Sequence, residues 1–230
     1  MHARQIVPGI YAIPAGPVNT FLLEGPDGCT LIDSGFPGSA AKILEAVRGL
    51  GKQDKDIRHI VLTHAHQDHI GSFAALKKAT GADAYMHPAD APIATSGTGF
   101  RPLKPAPGLM TGILFRLFIH PVASVEAAPI DHLVEDGQQL PIAGGLTAVH
   151  VPGHCAGQIA LLSPQNGGVL FAADACSNMM GLGWSLCYED FEEGKRALRK
   201  LAGLKFEIAC FGHGKAILQG AAAKFKEKFA

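Results

Sequence analysis

One short segment constrains this chain more than any other, because it places four potential metal ligands within six positions. The apolar run at 59–62 predicts a strand ending at Thr63, and the amphipathic stretch after the segment predicts a helix over 69–79. The turn between them carries His64, His66, Asp68 and His69. Because His64 and His66 are two residues apart on a strand end, their side chains point the same way. The turn that follows directs Asp68 and His69 toward a second metal centre. We therefore expect two metal ions close together; the alternative is a histidine-rich turn in solvent.

Three further candidate ligands occur singly, each after an apolar strand and beside glycine. They are His154 after the strand ending at Val151, Asp174 at the end of 168–174, and His213 at the end of 208–213. Glycine allows the sharp backbone turns that ligand loops need. One such residue alone usually marks an ordinary turn. All three in this order after the His/Asp cluster indicate that the seven residues form one shared metal site.

With these residues in view, the chain resembles the metallo-β-lactamase-fold hydrolase superfamily, in particular its glyoxalase II and lactonase-like branch. The resemblance covers nearly the whole chain. It rests on the pattern Thr-His-x-His-x-Asp-His, then Gly-His, Asp and His, and on two earlier segments. The pattern corresponds to Thr63–His69, His154, Asp174 and His213. The two earlier segments are Asn19-Thr-Phe21 and Leu31-Ile-Asp33-Ser-Gly35.

The resemblance implies an α/β (α+β) fold, a four-layer αββα sandwich, with two metals at one edge between the sheets. It implies His64, His66 and His154 on metal 1, Asp68, His69 and His213 on metal 2, and Asp174 bridging both. Asp33 has two open interpretations. It orients the ligands from behind, as the resemblance implies, or it forms a turn or cap for the next helix.

Alternating and helical periodicities predict two similar halves of strands followed by helices. The expected strands are 10–14, 18–24, 28–33, 83–86, 131–134, 146–151, 158–163, 168–173 and 207–211. The expected helices are 39–50, 69–79, a short one from about Pro88, 190–202 and 216–228. Strands with helices after them suggest two sheets packed face to face.

Composition favours one compact domain over residues 1–230, with 47% hydrophobic residues and zero formal net charge. We find no basic stripe for nucleic acid or an anionic membrane, and no apolar leader. Five scattered cysteines suggest reduced thiols, so a cytoplasmic location is expected. Cys155, beside a candidate ligand, is expected to be structural and to point away from that ligand.

The least regular stretch is a predicted loop and helix insertion at about 93–128, which includes the apolar run 109–119. Three interpretations of this run are open: an ordinary buried helix, a wall or lid over the metals, or a homodimer face. A second candidate lining is 176–190, with Met179 and Trp184. Both segments favour a small-molecule substrate with an apolar or acyl portion.

The ligand set predicts metal-assisted hydrolysis, in which a water bridging two divalent cations loses its proton near neutral pH and attacks. Zinc is the expected metal, with iron and manganese as alternatives. Asp68 is the expected catalytic proton carrier. We expect an ester, lactone or thioester substrate. The alternatives are phosphodiester or β-lactam hydrolysis, or a non-catalytic binding protein stabilised by metal.

Subfamily patterns narrow the substrate. Zinc β-lactamases generally carry Cys or Ser where this chain has Asp174, and lactonases usually carry Tyr soon after it, where this chain has Ser177-Asn178. Glyoxalase II-like enzymes normally extend beyond the position of Ala230 with a basic helical segment. Antibiotics, quorum lactones and glutathione thioesters are therefore each disfavoured.

Overall fold

The structure is a computed structural model that describes residues 2–120 and 123–230. Its first part contains, in chain order, β1 (Arg4–Val7), β2 (Ile10–Ala15), β3 (Val18–Gly25), β4 (Gly28–Ile32), α1 (Ala40–Gly49), β5 (Ile57–Val61), α2 (Gln67–Ile70), α3 (Phe73–Thr80), β6 (Asp83–Met86), α4 (Ala91–Ser96), β7 (Lys104–Pro105), α5 (Leu109–Phe118) and β8 (His132–Leu133). The second part contains β9 (Gln139–Leu140), β10 (Leu146–His150), β11 (Ile159–Ser163), β12 (Val169–Phe171), β13 (Cys176–Ser177), β14 (Gly183–Trp184), β15 (Cys187–Tyr188), α6 (Phe191–Ala202), β16 (Ile208–Cys210) and α7 (Ala221–Phe229).

These strands form two main sheets. The first has the order β1-β2-β3-β4-β5-β6-β8, antiparallel from β1 to β4 and parallel from β4 onward. The second has the order β16-β12-β11-β10-β9, with β12 and β16 parallel and the other pairs antiparallel. Because β10, β12 and β16 run in the same direction, their carboxyl ends reach the same edge of the second sheet. Ribbons β13–β14 and β7–β15 lie outside both sheets.

Side-chain alternation along the strands creates the layers. In β3, Phe21 and Leu23 face the second sheet, whereas Leu22 packs into the cluster that includes residues of α1 and α3. Phe21 meets Phe171 of β12 edge to face across the sandwich, with ring centroids 5.2 Å apart. Leu170 points the other way, into a cluster shared with α6 and α7. The predicted αββα sandwich is confirmed.

Two predicted helices differ from the structure. The helix over 69–79 is wrong as one element, because the chain breaks at 71–72 between α2 and α3. A Cβ at Gly71 would overlap Pro37, and Ser72 Oγ donates to Phe36 O at 2.6 Å. The segment before α1 therefore docks on this turn and bends the chain.

The helix predicted over 216–228 begins only at Ala221. Ile217 instead exchanges two 2.9 Å backbone hydrogen bonds with Ala209, and Gly220 is left-handed with φ 61°, so the chain turns before α7. The short helix expected from Pro88 begins at Ala91. The strand expected over 168–173 spans Val169–Phe171.

The exposure of α5 corrects one interpretation of the insertion. Its side chains are exposed or half-buried, with Leu109 86% and Phe118 68% exposed, so the ordinary buried helix is wrong. The wall, lid and dimer-face interpretations stay predictions, as do the single domain and the insertion at 93–128. Met1, Pro121 and Val122, which fall within those ranges, lie outside the described residues. Over 2–120 and 123–230, each helix is too short or too polar to cross a bilayer.

Candidate metal centre

The carboxyl ends of strands from both sheets converge at one edge of the sandwich. β4 leads to Asp33, β5 to the ligand turn, β10 to His154, β12 to Asp174 and β16 to His213. The structure brings all seven predicted ligands together. Their candidate ligand atoms lie within 4.8 Å of one another in three groups: His64, His66 and His154; Asp68, His69 and His213; and His64, His69 and Asp174.

The first group is built from three histidines whose rings converge. His66 Nδ1 and His154 Nε2 are 2.9 Å apart, close to the roughly 3.3 Å expected between two nitrogens on one tetrahedral zinc. His154 Nδ1 donates to Cys187 O at 2.7 Å, and His64 Nδ1 donates to Thr63 Oγ1 at 3.0 Å. These bonds select the tautomers that leave both Nε2 atoms as acceptors facing the site.

The second group contains the carboxylates. His213 Nε2 lies 3.2 Å from Asp68 Oδ2 and 3.2 Å from Asp174 Oδ2. Asp174 also lies 3.5 Å from His69 Nε2 and 3.6 Å from His154 Nε2. Asp174 therefore contacts residues of both groups, which is the arrangement required of a bridging ligand.

Electrostatics differ between the two groups. Burial, followed by the charges of neighbouring imidazoles, lowers the pKa of His64 well below its usual value and that of His66 to about 3. Burial also lowers the pKa of His154, although Asp174 opposes it. The first group is thus a set of neutral imidazoles, the form that binds metal.

In the second group, opposite charges outweigh burial. Burial would raise the pKa of Asp68, but His69 and His213 lower it to about 2. Burial would likewise lower the pKa of His213, but Asp174 and Asp68 raise it to about 10. This group therefore holds anionic carboxylates that stabilise a positive charge between them, whether protons or metal ions carry it.

Unpaired buried atoms show that metal ions fit this site. Among the residues that the structure describes, His64 Nε2, His69 Nε2 and Asp174 Oδ1 are buried without a hydrogen-bond partner. Each such atom costs about 1–3 kcal/mol if left unsatisfied. Imidazole nitrogens and carboxylate oxygens are ligands that zinc binds well. The donor set therefore fits divalent metal ions.

Asp33 lies behind the ligands and holds them. Its Oδ2 accepts hydrogen bonds of 2.8 Å from His69 Nδ1 and from Thr63 Oγ1, and its Oδ1 accepts one of 2.8 Å from Thr63 N. The orienting interpretation is therefore correct. The helix-capping alternative is wrong, because α1 is preceded by Ser39 at its N-cap position.

Sequence reasoning missed the contacts that hold the His213 loop. Asn19 Nδ2 donates to Phe211 O at 3.1 Å and to Gly214 O at 2.9 Å. At Gly212 a Cβ would overlap Asp174 Oδ1 and lie 2.9 Å from His69 Cε1. The segment Asn19-Thr-Phe21 belongs to the family pattern, but only the fold shows that its Asn reaches the loop after β16.

Three further residues lie near the ligand turn and His154. Gln67, between two ligands, donates to His120 O at 3.2 Å, which ties the end of α5 to the metal turn. His87 stacks on His150 with centroids 4.0 Å apart and belongs to none of the ligand groups among the described residues.

Cys155 is buried and free. Its Sγ faces Asp90 and Glu189, and it lies within 4.8 Å of a ring nitrogen of His66. That Cys155 is structural and points away from the adjacent ligand His154 stays a prediction.

Comparison with known proteins agrees with this geometry. The sequence profile of the metallo-beta-lactamase superfamily matches residues 13–213. The uncharacterized protein YobT of Bacillus subtilis is 31% identical over 211 residues, covering 86% of this chain and 84% of YobT. A thioesterase, pkgB of Emericella nidulans, is 29% identical over 87% of this chain, which spans 46% of that relative.

Solved structures agree on the fold. A metallo-beta-lactamase of Cronobacter sakazakii superposes with a TM-score of 0.73 at 24% identity, covering 93% of this chain and 78% of that one. A structural similarity at 24% identity is evidence for the fold alone. The family profile, in contrast, spans most of the sequence and includes the position of every predicted ligand. The chain therefore belongs to the metallo-beta-lactamase superfamily of metal-dependent hydrolases.

Proposed function

We propose that this chain is a dinuclear hydrolase that cleaves a thioester, ester or lactone. The position of Asp174 carries the proposal, because its carboxylate lies within 3.6 Å of His213 and His154, which belong to different groups. When bound, two divalent cations, with zinc the expected metal, supply Lewis acidity and acidify a water molecule. The ligands we propose are His64, His66 and His154 for metal 1, Asp68, His69 and His213 for metal 2, and Asp174 for both.

Asp68 is the residue we propose for proton transfer. Its side chain is 18% exposed at the start of α2, whereas that of Asp174 is 7% exposed. The charges of His69 and His213 outweigh its burial and lower the pKa of Asp68 to about 2, so this side chain is an anionic carboxylate that can take up a proton transiently from a metal-acidified water. It can then donate that proton to the leaving group, a role that typically contributes 10²–10⁴-fold to rate.

The surroundings of the site support an acyl substrate. The residues just after α5 contact the metal turn through the Gln67–His120 hydrogen bond, and Leu114 and Phe115 of this helix are half-buried. Met179 and Met180, on the segment that follows Asp174, are 66% and 92% exposed. Flexible apolar side chains adapt to acyl chains. The thioesterase among the relatives favours a thioester within this class.

Metal analysis combined with a substrate panel tests this proposal. Zinc-replete protein should hold two ions, and His213→Ala should hold one. His132→Ala, which alters a 48%-exposed side chain, is the control and should hold two. The panel contains acyl thioesters, esters, lactones, β-lactams and a phosphodiester. One ion at saturation, or highest kcat/KM on the phosphodiester or a β-lactam, would refute the proposal.

A further inference from the structure

A buried ionic cluster lies beside the first metal group and has no assigned role. Its members are Asp90, Arg101, Cys155 and Glu189. Arg101 Nε donates to both carboxylate oxygens of Glu189 at 2.8 and 2.9 Å, and its Nη2 donates to Asp90 Oδ1. Asp90 is fully buried, and the Arg101 side chain is 28% exposed. One guanidinium thus bridges two carboxylates behind the ligands.

Asp90 joins the two loops that carry the first group. Its Oδ2 accepts from Ala65 N at 2.8 Å, and Ala65 lies between His64 and His66. Its Oδ1 accepts from Gly157 N at 2.9 Å, in the loop that follows His154. A Cβ on Gly157 would lie 2.5 Å from Asp90 Cγ, so this approach needs glycine.

Glu189 holds the same loop from its other side. Its Oε2 accepts from Ala156 N at 2.9 Å, and its own N donates to His154 O at 3.3 Å. A ring nitrogen of His66, Cys155 Sγ and a carboxylate oxygen of Glu189 lie within 4.8 Å of one another. The cluster therefore touches every segment that supplies a histidine to the first group.

We propose that Asp90 and Arg101 are positioning residues for the first metal ion. This inference deepens the proposed function and rests on its first metal site. Asp90 sets the distance between the two ligand loops, and Arg101 holds that carboxylate in place, aimed at their backbone N–H groups. The second group depends on Asp33 instead. Substitutions in the cluster should therefore change the Zn²⁺ affinity of the first site alone. Because Arg101 belongs to the insertion, this segment would help to build the site as well as border it.

The test measures Zn²⁺ affinity at one group at a time, by competition with a chromophoric chelator. His213→Ala weakens the second group and leaves the first to be measured; His154→Ala does the reverse. In the His213→Ala background, Asp90→Asn and Arg101→Gln should each weaken Zn²⁺ binding roughly 10- to 100-fold, as loss of a ligand-orienting partner does. In the His154→Ala background, the same changes should leave the affinity within about twofold, since separate sites are nearly additive.

Arg48→Gln is the matched control, because Arg48 makes a comparable two-bond pair with Asp54 at the surface. It should change neither affinity. Arg101→Lys keeps the positive charge but loses the planar set of N–H donors, so its effect on Zn²⁺ affinity should be intermediate. If Asp90→Asn does not fold, Arg101→Lys still tests the inference. Unchanged affinity at the first group, or equal weakening at both, would overturn the inference. The stoichiometry of the unmodified protein tests the proposed function separately.

Discussion

Replacing Asp33 by Asn removes the charge that orients His69 while keeping nearly the same volume. Three donors converge on the two carboxylate oxygens, namely His69 Nδ1, Thr63 Oγ1 and Thr63 N, each at 2.8 Å. A carboxamide offers one oxygen, and its NH₂ group faces a donor at the other position. At least one buried donor therefore loses its acceptor.

The magnitude follows from these bonds. A hydrogen bond to a charged group contributes about 1.5–3 kcal/mol, so the free energy of unfolding of the metal-free protein should fall by about 2–3 kcal/mol. The same change frees the His69 ring to rotate. Loss of such a partner typically costs 10- to 100-fold in metal affinity, or about 1.4–2.8 kcal/mol. This loss should be larger at the second group, because Asp33 bonds His69 directly but reaches His64 of the first group only through Thr63 Oγ1.

Urea denaturation with chelator present measures the stability, and Zn²⁺ competition in the His154→Ala background measures the affinity of the second group. Asp27→Asn is the control. Asp27 also pairs with a histidine, His59 Nε2 at 2.9 Å, but its side chain is 46% exposed, and exposed pairs contribute little, about 0–1 kcal/mol. The reasoning is refuted if Asp33→Asn retains its affinity at the second group, or if both variants lose equal stability.

Three further predictions concern the same site. Asp68→Asn should lower kcat by about 10²–10⁴-fold while zinc at the first group stays bound; equal loss of both ions would contradict this role. Gly212→Ala should impair zinc binding, because its Cβ would overlap Asp174, whereas Gly49→Ala, with open space around its Cβ, should not; metal analysis of the pair decides. kcat/KM should rise a few-fold per added methylene of the acyl chain, up to ~0.8 kcal/mol each, and Leu114→Ser should flatten the rise without removing metal; a flat series in the unmodified protein would show that α5 does not contact substrate.

The local sequence determined where the strands lie and which residues end them. Apolar runs mark β3 and β5. The helical pattern at 190–202 corresponds closely to α6, which Asp190 caps by accepting from Glu193 N at 2.9 Å. The ligand spacing also predicts that the first two histidines point the same way, because side chains two residues apart lie on one face of a strand, and His64 and His66 do lie in one group of candidate ligands. These features depend on neighbours a few residues apart.

Tertiary structure decided what depends on residues far apart in sequence. The break between α2 and α3 follows from packing against the segment before α1, which no helical periodicity reports. The exposure of α5 could not be predicted, since an apolar run is compatible with a core, a lid or an interface. Asp90 reads locally as a turn residue before a helix, yet its carboxylate bonds Ala65, 25 residues away, and Gly157, 67 residues away. Such partners become neighbours only when both sheets pack, because packing brings loops from both halves of the chain to one edge.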